Sequence, residues 1–233
     1  MQDYIKQTGD VIKNKLIKFK NAGEYRLLLG KAQLHLSKKD KILKEIIAKV
    51  GNCRLKPHKK YFETLVDAII SQQLSVKAAE SIFKRFKESF KNSNNDFPSP
   101  QEIIDMDKEK LRKCGLSYPK VKYIKDLSSK VIEGKLKIKK LNLLDDEEII
   151  TELIQVKGIG VWTAHMFLIF CLGRFNVLPG GDLGLKKAVM LNYKLRKLPD
   201  EIKIAKISKK NGWEPYNSIA TWYLWQSLSL NKK

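Results

Sequence analysis

Residues 153–185 read LIQVKGIGVWTAHMFLIFCLGRFNVLPGGDLGL, a glycine turn between two apolar segments followed by a single carboxylate. Gly158 and Gly160 stand one residue apart, and a glycine inside a helix costs roughly 1 kcal/mol relative to alanine, so the pair predicts a tight turn instead. Apolar residues recur at helical spacing on both sides of this turn, and Gly173 is suited to ending the second helix. The stretch therefore predicts two helices joined by a hairpin.

A hairpin of this kind can bind an anion, because the first N–H groups of its second helix lack intrahelical partners and glycine lets a phosphate approach the backbone. Duplex DNA is the obvious source of such phosphates, and Lys157 lies within the turn. The Gly-x-Gly pattern alone fits equally well an ordinary antiparallel helix pair in any all-α protein.

The charge balance also favours a polyanionic partner. The chain of 233 residues carries 46 Lys and Arg against 25 Asp and Glu, a formal net charge of +21. This excess is larger than solubility requires, and it is typical of proteins that bind nucleic acid. Lysines on solvated helix faces would account for part of it.

The sequence predicts no cofactor and no metal ion bound by side chains. The cysteines and histidines are few and far apart, namely Cys53, Cys114, Cys171, His35, His58 and His165. They fit neither a disulfide framework nor a metal site, and a reducing compartment suits them. No signal peptide and no apolar run of membrane-spanning length is found, so no membrane partner is expected.

Capping residues and apolar spacing predict helices throughout. Predicted starts are Asp40, Ser75, the capping box of Ser99 and Glu102, Asp107, Asp145 and Asp182. The clearest predicted helices cover residues 40–50, 61–70, 75–90, 118–132, 183–193 and 215–228. Because strand alternation does not persist anywhere, the predicted fold class is all-α.

Several motifs resemble one family. Residues 156–164, together with Pro179-x-x-Asp182-Leu183-Gly184-Leu185, are similar to the helix-hairpin-helix DNA glycosylase superfamily, in which a catalytic aspartate follows the hairpin. The variant Trp162-Thr163-Ala164 resembles the alkylation-repair branch, DNA-3-methyladenine glycosylase II. Similarity extends upstream through residues 62–79 and 111–120, and it covers the chain from Leu27 to Leu228.

The resemblance implies a two-lobed helical fold with the active cleft between the lobes. A central helical barrel at residues 60–172 would end in the hairpin, and residues 31–59 and 173–233 would form a discontinuous second lobe. Residues 1–30 are interpreted as an N-terminal strap or helix. The iron-sulfur cluster of some relatives is not expected, because no cysteine follows Cys171.

The resemblance assigns catalysis to Asp182. From the residues alone, Asp182 is a helix N-cap after Pro179-Gly180-Gly181, and the two interpretations are compatible. Bifunctional relatives carry a lysine where Trp162 stands, so an amine nucleophile is missing there. Water is then the expected nucleophile, without AP-lyase activity.

Further site residues follow from the resemblance. Trp162 and Trp225 match positions that line the base pocket, Met166 is placed with them, and Tyr216 and Trp222 are lesser candidates. Trp213 is interpreted as a core anchor. The loop after residue 71 would enter the minor groove and fill the gap left by an extruded base. The residue that fills this gap, called the wedge, would be Gln73 or alternatively Leu74. The expected DNA contacts of the hairpin are Lys157, Gly158, Gly160 and Thr163, with a monovalent cation at the backbone carbonyls of Val156 and Gly158.

The function expected from the sequence is a monofunctional DNA N-glycosylase of base excision repair. It would flip out and hydrolytically excise alkylated purines, 3-methyladenine first and 7-methylguanine second, from double-stranded DNA. The expected localisation is the bacterial cytoplasm at the nucleoid, or the nucleus in a eukaryote. The expected oligomeric state is a monomer. The alternatives are a glycosylase for another damaged base and a non-catalytic DNA-damage-binding protein.

Overall fold

A computed structural model describes residues 19–90 and 96–230, and this part of the chain is helical without a β-strand. The α-helices are α1 (Ala22–Lys39), α2 (Lys41–Val50), α3 (Tyr61–Ser71), α4 (Val76–Glu88), α5 (Pro100–Asp105), α6 (Lys108–Lys113), α7 (Tyr118–Ile132), α8 (Asp146–Ile154), α9 (Val161–Met166), α10 (Leu183–Asn192), α11 (Glu201–Lys210) and α12 (Asn217–Leu230). A 3₁₀ helix spans Ile138–Leu143, and a π-helical turn spans Phe167–Cys171. The predicted all-α fold class is confirmed. None of the helices in the described ranges is long and apolar enough to cross a bilayer.

Short polar side chains set the start of most helices. The N-cap side chain accepts a hydrogen bond from a first-turn N–H at Asp40, Ser75, Ser99, Asp107, Ser117, Asp145, Asp182 and Asp200. Two of these caps are complete capping boxes, with Glu102 and Glu148 as the returning side chains. Each such cap contributes about 1 kcal/mol, and the starts predicted from capping residues are confirmed.

Some helix limits differ from the predicted ones by one or two residues. The helix expected to run to about Phe90 ends at Glu88. The last helix begins at Asn217 and not at Pro215, because Tyr216 N–H donates to the Trp213 carbonyl across a turn at 2.7 Å. The second hairpin helix is regular over α9 and then widens into the π-helical turn, where Leu172 N–H donates to the Phe167 carbonyl at 3.1 Å.

The chain forms two compact units. The central unit, residues 55–173, contains α3 to α9, and the terminal unit contains α1, α2 and α10 to α12 from residues 19–54 and 174–230. The limits inferred from the sequence stay a prediction. Of the expected N-terminal segment, residues 1–18 lie outside the described residues, and α1 runs across residue 30, where that segment was expected to end.

Each unit has its own apolar core. In the central unit, α3 buries Leu65, Val66, Ile69 and Ile70. In the terminal unit, α12 is buried along residues 217–224, and the polar side chains of Asn217, Ser218 and Thr221 are buried with the apolar ones. Trp213 is fully buried, which confirms its interpretation as a core anchor.

Asp40 is a buried carboxylate that joins distant parts of the terminal unit. It is 2% exposed, and its Oδ1 accepts the N–H groups of Ile42 at 2.9 Å and Leu43 at 3.2 Å. Its Oδ2 accepts the indole N–H of Trp213 at 2.8 Å and the hydroxyl of Tyr193. Burial and the neighbouring charge of Asp40 raise the pKa of Tyr193, so this hydroxyl remains a donor.

Replacing Asp40 by alanine is expected to destabilise the protein by about 3–5 kcal/mol, because two buried donors lose their partner together with a helix cap. Asp200→Ala is the matched control, since it removes an exposed aspartate cap from α11 of the same unit. It should cost about 1 kcal/mol. Urea unfolding measures the free energy of unfolding of both variants. Equal decreases in this free energy would show that Asp40 acts only as a cap.

Candidate active site

The two hairpin glycines are required for different reasons. Gly158 has a φ of 83°, and a Cβ there would lie 2.2 Å from Cδ2 of Tyr123 on α7. Gly160 has an ordinary extended backbone, and a Cβ there would meet no protein atom within 4 Å. The fold therefore needs glycine at position 158, whereas the open surface at position 160 suits the approach of a ligand to the backbone.

Asp126 on α7 fixes the backbone of the hairpin turn through a hydrogen bond. The carboxylate of Asp126 accepts the backbone N–H of Lys157 at 2.9 Å and the ammonium of Lys130 at 3.0 Å. Burial opposes the charge of Asp126, but these hydrogen bonds and the neighbouring lysines outweigh it and lower its pKa. The side chain of Lys157 is 59% exposed, with its ammonium 3.9 Å from Asp126. It is therefore accessible to a phosphate.

The remaining hairpin candidates are mostly backbone groups. The carbonyl of Val156 accepts Ile159 N–H at 3.0 Å, and the carbonyl of Gly158 accepts the side-chain amide of Gln72 at 2.6 Å. Each of these oxygens keeps a second lone pair, and a monovalent cation at Val156 and Gly158 stays a prediction. Thr163 is only 5% exposed, because the third position of α9 faces the core. This burial does not favour the predicted contact of Thr163 with DNA.

The loop between α3 and α4 carries both wedge candidates on its exposed tip. Gln73 has a φ of 56°, uncommon for a residue other than glycine, and Leu74 is 38% exposed. The base of the loop is held at Gln72, whose carbonyl accepts the ammonium of Lys120 at 2.8 Å. Which tip residue acts as the wedge stays a prediction.

In the terminal unit, Asp182 caps α10 and is held by two donors on one oxygen. Its Oδ1 accepts Leu185 N–H at 2.6 Å and the indole N–H of Trp225 at 2.7 Å. A Cβ on Gly184 would lie 3.0 Å from this oxygen and 3.2 Å from the indole ring, so glycine leaves room for the pair. The predicted N-cap role is confirmed, and the bond to Trp225 ties the carboxylate to α12.

The other aromatic candidates differ in exposure. Trp162 is 51% exposed, and Met166 lies half-buried one turn later on the same helix. Tyr216 is half-buried, with its ring edge-to-face against His35 at 5.1 Å. Trp222 is buried at 7% exposure and packs edge-to-face on Tyr223 at 4.9 Å. The lesser candidate Trp222 is therefore a core residue.

Sequence reasoning missed several residues of the site. Lys120 ends the motif at residues 111–120 that resembles the family, but no hydrogen bond was predicted for it. Asp126 occupies a helix position where a solvated charge is the usual interpretation. Gln72 was seen only as a neighbour of the wedge candidate. Within the described ranges, no three His, Cys, Asp or Glu side chains are grouped to hold a metal ion.

Comparison with known proteins decides the family. The family model described as HhH-GPD superfamily base excision DNA repair protein matches residues 66–214, more than half of the chain. The chain belongs to the HhH-GPD superfamily. The match includes the hairpin and Asp182, whereas Trp225 lies beyond its end.

Individual HhH-GPD relatives cover most of the chain. DNA-3-methyladenine glycosylase 1 of Schizosaccharomyces pombe is 39% identical over 206 residues, 87% of this chain and 89% of the relative. Alkylbase DNA glycosidase-like protein mag2 of the same organism is 35% identical over 209 residues, 87% of this chain and 95% of the relative. The solved structure of S. pombe 3-methyladenine DNA glycosylase Mag1 in complex with abasic DNA has a TM-score of 0.76 at 40% identity, covering 87% of this chain and 98% of that one.

The two hairpin glycines of this HhH-GPD protein should respond differently to substitution. Gly158→Ala should lower the thermal midpoint, because the new Cβ collides with Tyr123 at a backbone angle that favours glycine. Gly160→Asp should leave the midpoint near that of wild type, and should weaken binding to damaged and undamaged duplex alike by placing a negative charge beside phosphate. Calorimetry and fluorescence anisotropy at several salt concentrations separate the two effects. A Gly160→Asp defect confined to one lesion would show that the hairpin reads bases.

Proposed function

We propose that the protein is a monofunctional DNA N-glycosylase that flips out and hydrolytically excises alkylated purines, chiefly 3-methyladenine and also 7-methylguanine. The observation that carries the proposal is the rigidly held carboxylate of Asp182, with two donors on its Oδ1. The family membership and the 39% identity to a relative named DNA-3-methyladenine glycosylase 1 support the reaction class. The place of action would be the cell's DNA, in the nucleoid or the nucleus.

Asp182 would act through its negative charge. Cleavage of the N-glycosidic bond develops positive charge on the sugar at C1′, and a carboxylate held in place stabilises that charge without reorganising. The same oxygen atoms can orient a water molecule toward C1′. Because Leu185 N–H and the Trp225 indole already fix the side chain, the geometry is prepared before substrate binds.

The leaving group explains why a second acid is not needed. An alkylated purine carries formal positive charge and leaves readily without protonation by the protein. An aromatic ring face attracts a cationic base by about 0.5–2 kcal/mol more than a neutral one. We assign this role to the indole of Trp225 beside Asp182, and we propose Trp162, Met166 and Tyr216 as further residues that contact the base.

The central unit supplies groups suited to binding the DNA backbone. The open surface at Gly160 and the exposed ammonium of Lys157 suit phosphate, and the net charge of +21 favours association with duplex DNA. The exposed tip at Gln73 and Leu74 suits insertion into the gap left by the extruded base. Filling that gap offsets part of the few kcal/mol that unstacking costs.

The charge of Asp182 is the first test of the function. Asp182→Asn keeps a side-chain oxygen that can accept from Leu185 and Trp225 but removes the charge, so single-turnover excision from a methylated duplex should fall by about 10²-fold to 10³-fold. Binding to DNA that contains an abasic-site analogue should be preserved. Asp200→Asn, the same change at the cap of α11, is the control and should leave excision unchanged.

The outcomes of this assay separate the proposal from its rivals. Wild-type excision by Asp182→Asn would remove Asp182 from the mechanism. Excision by wild type of oxidised or deaminated bases, without excision of methylated ones, would assign a different substrate. Tight binding to abasic DNA, with no excision of any lesion, would identify a non-catalytic damage-binding protein.

The second test of the function concerns the nucleophile. Trp162 stands where lyases need an amine, and its indole has no lone pair available for attack on C1′, so the product should be an abasic site in an unbroken strand. Strand breaks should therefore appear only after alkali or heat. Borohydride should trap no covalent protein-DNA complex. Efficient trapping that one lysine substitution abolishes would require a bifunctional mechanism instead.

A further inference from the structure

Helix α7 contacts the loop of the wedge candidates through one lysine. The ammonium of Lys120 donates to the carbonyls of Ile70 at 2.7 Å and Gln72 at 2.8 Å. These carbonyls lie at the end of α3, where backbone acceptors lack helical partners and the helix dipole favours a cation. Burial lowers the pKa of Lys120, as expected of an ammonium turned toward the protein. Lys120 thus fixes the base of the loop while its tip stays exposed.

The same helix supports the hairpin three and six residues further along. The ring of Tyr123 lies where a side chain at position 158 would be, and Asp126 accepts Lys157 N–H at 2.9 Å. Positions 120, 123 and 126 lie on one side of an α-helix and span about 9 Å along its axis. One helix face therefore contacts both the loop and the hairpin.

A direct hydrogen bond links the two segments as well. The side-chain amide of Gln72 donates to the Gly158 carbonyl at 2.6 Å, across 86 residues of sequence. Gln72 is thus held twice, by Lys120 at its backbone carbonyl and by the hairpin at its side chain. Loop, hairpin and α7 form a closed set of contacts within the central unit.

We propose that α7 holds the loop at residues 72–75 and the hairpin as one rigid assembly, so that insertion of the loop into the duplex and binding of the hairpin to phosphate occur as one coupled step. Lys120 and Gln72 are the positioning residues of this assembly. The inference rests on the proposed function, in which the loop fills the gap left by an extruded base. A loop whose base is fixed in advance loses less conformational entropy during insertion.

The chain supplies a matched control for Lys120. Lys125, on the same helix, donates in the same way to two carbonyls at the end of α5, those of Ile104 at 2.9 Å and Met106 at 2.8 Å. Lys120→Met and Lys125→Met therefore remove equivalent pairs of hydrogen bonds. The loop is affected only by the first, and thermal unfolding of both variants shows whether each remains folded.

The experiment compares a methylated purine in a normal pair with the same lesion opposite an abasic-site analogue, where extrusion is already easy. In Lys120→Met and Gln72→Met, the excision rate should fall by about 10-fold or more on the paired lesion. On the unpaired lesion it should fall only a few-fold. Lys125→Met should resemble wild type on both. In the double variant Lys120→Met with Gln72→Met, the excision rate should fall by less than the product of the two single fold-decreases, since both residues act on one loop.

A second measurement does not depend on excision. The fluorescence of 2-aminopurine placed beside an abasic-site analogue should rise when wild type or Lys125→Met inserts the loop, and should rise less with Lys120→Met at saturating protein. Equal behaviour of Lys120→Met and Lys125→Met in both assays would overturn the coupling. If wild type excises no methylated base but the fluorescence difference persists, the proposed function fails and the coupling stands.

Discussion

An aspartate that caps a helix and also accepts an indole N–H occurs at two places in the described terminal unit, and the organisation of this unit depends on that interaction. Asp40 accepts from Trp213 across 173 residues of sequence, and Asp182 accepts from Trp225 across 43. A buried indole needs an acceptor for its N–H, and a capping carboxylate is already fixed by the backbone. Each pair therefore sets the position of a helix start relative to a remote aromatic side chain.

The two carboxylates differ in their surroundings, and the difference fits their roles. Asp40 is almost fully buried, with donors on both oxygens, so its hydrogen-bonding capacity is satisfied within the protein. Asp182 is half-buried at the first turn of α10, with a glycine two residues later that leaves its neighbourhood uncrowded. The first interaction serves the fold, and the second suits a charge that acts on a bound molecule.

The sequence predicted the local parts of this structure because capping depends on residues three positions apart, as in Ser99 with Glu102 or Asp182 with Leu185. It could not predict the bonds of Lys120 or Gln72, since a lysine or glutamine that donates to a remote carbonyl has no local pattern. Spacing alone could not separate Trp222 from Trp225, because apolar residues are spread around α12 and do not mark its buried side, and only the family resemblance distinguished the two. The internal bonds of Lys120 and Lys125 also mean that part of the +21 charge stabilises helix ends and is not available to DNA.

The hydrogen bond between Trp225 and Asp182 limits how the protein can evolve. In the proposed mechanism Trp225 contacts the damaged base and also fixes the reacting carboxylate of Asp182, so its replacement by a smaller residue would change both the accepted lesion and the rate. Lesion preference would therefore diversify at positions such as Tyr216, whose ring packs on His35 and Phe175. A library randomised at position 225 would select for turnover before it could select for a new lesion.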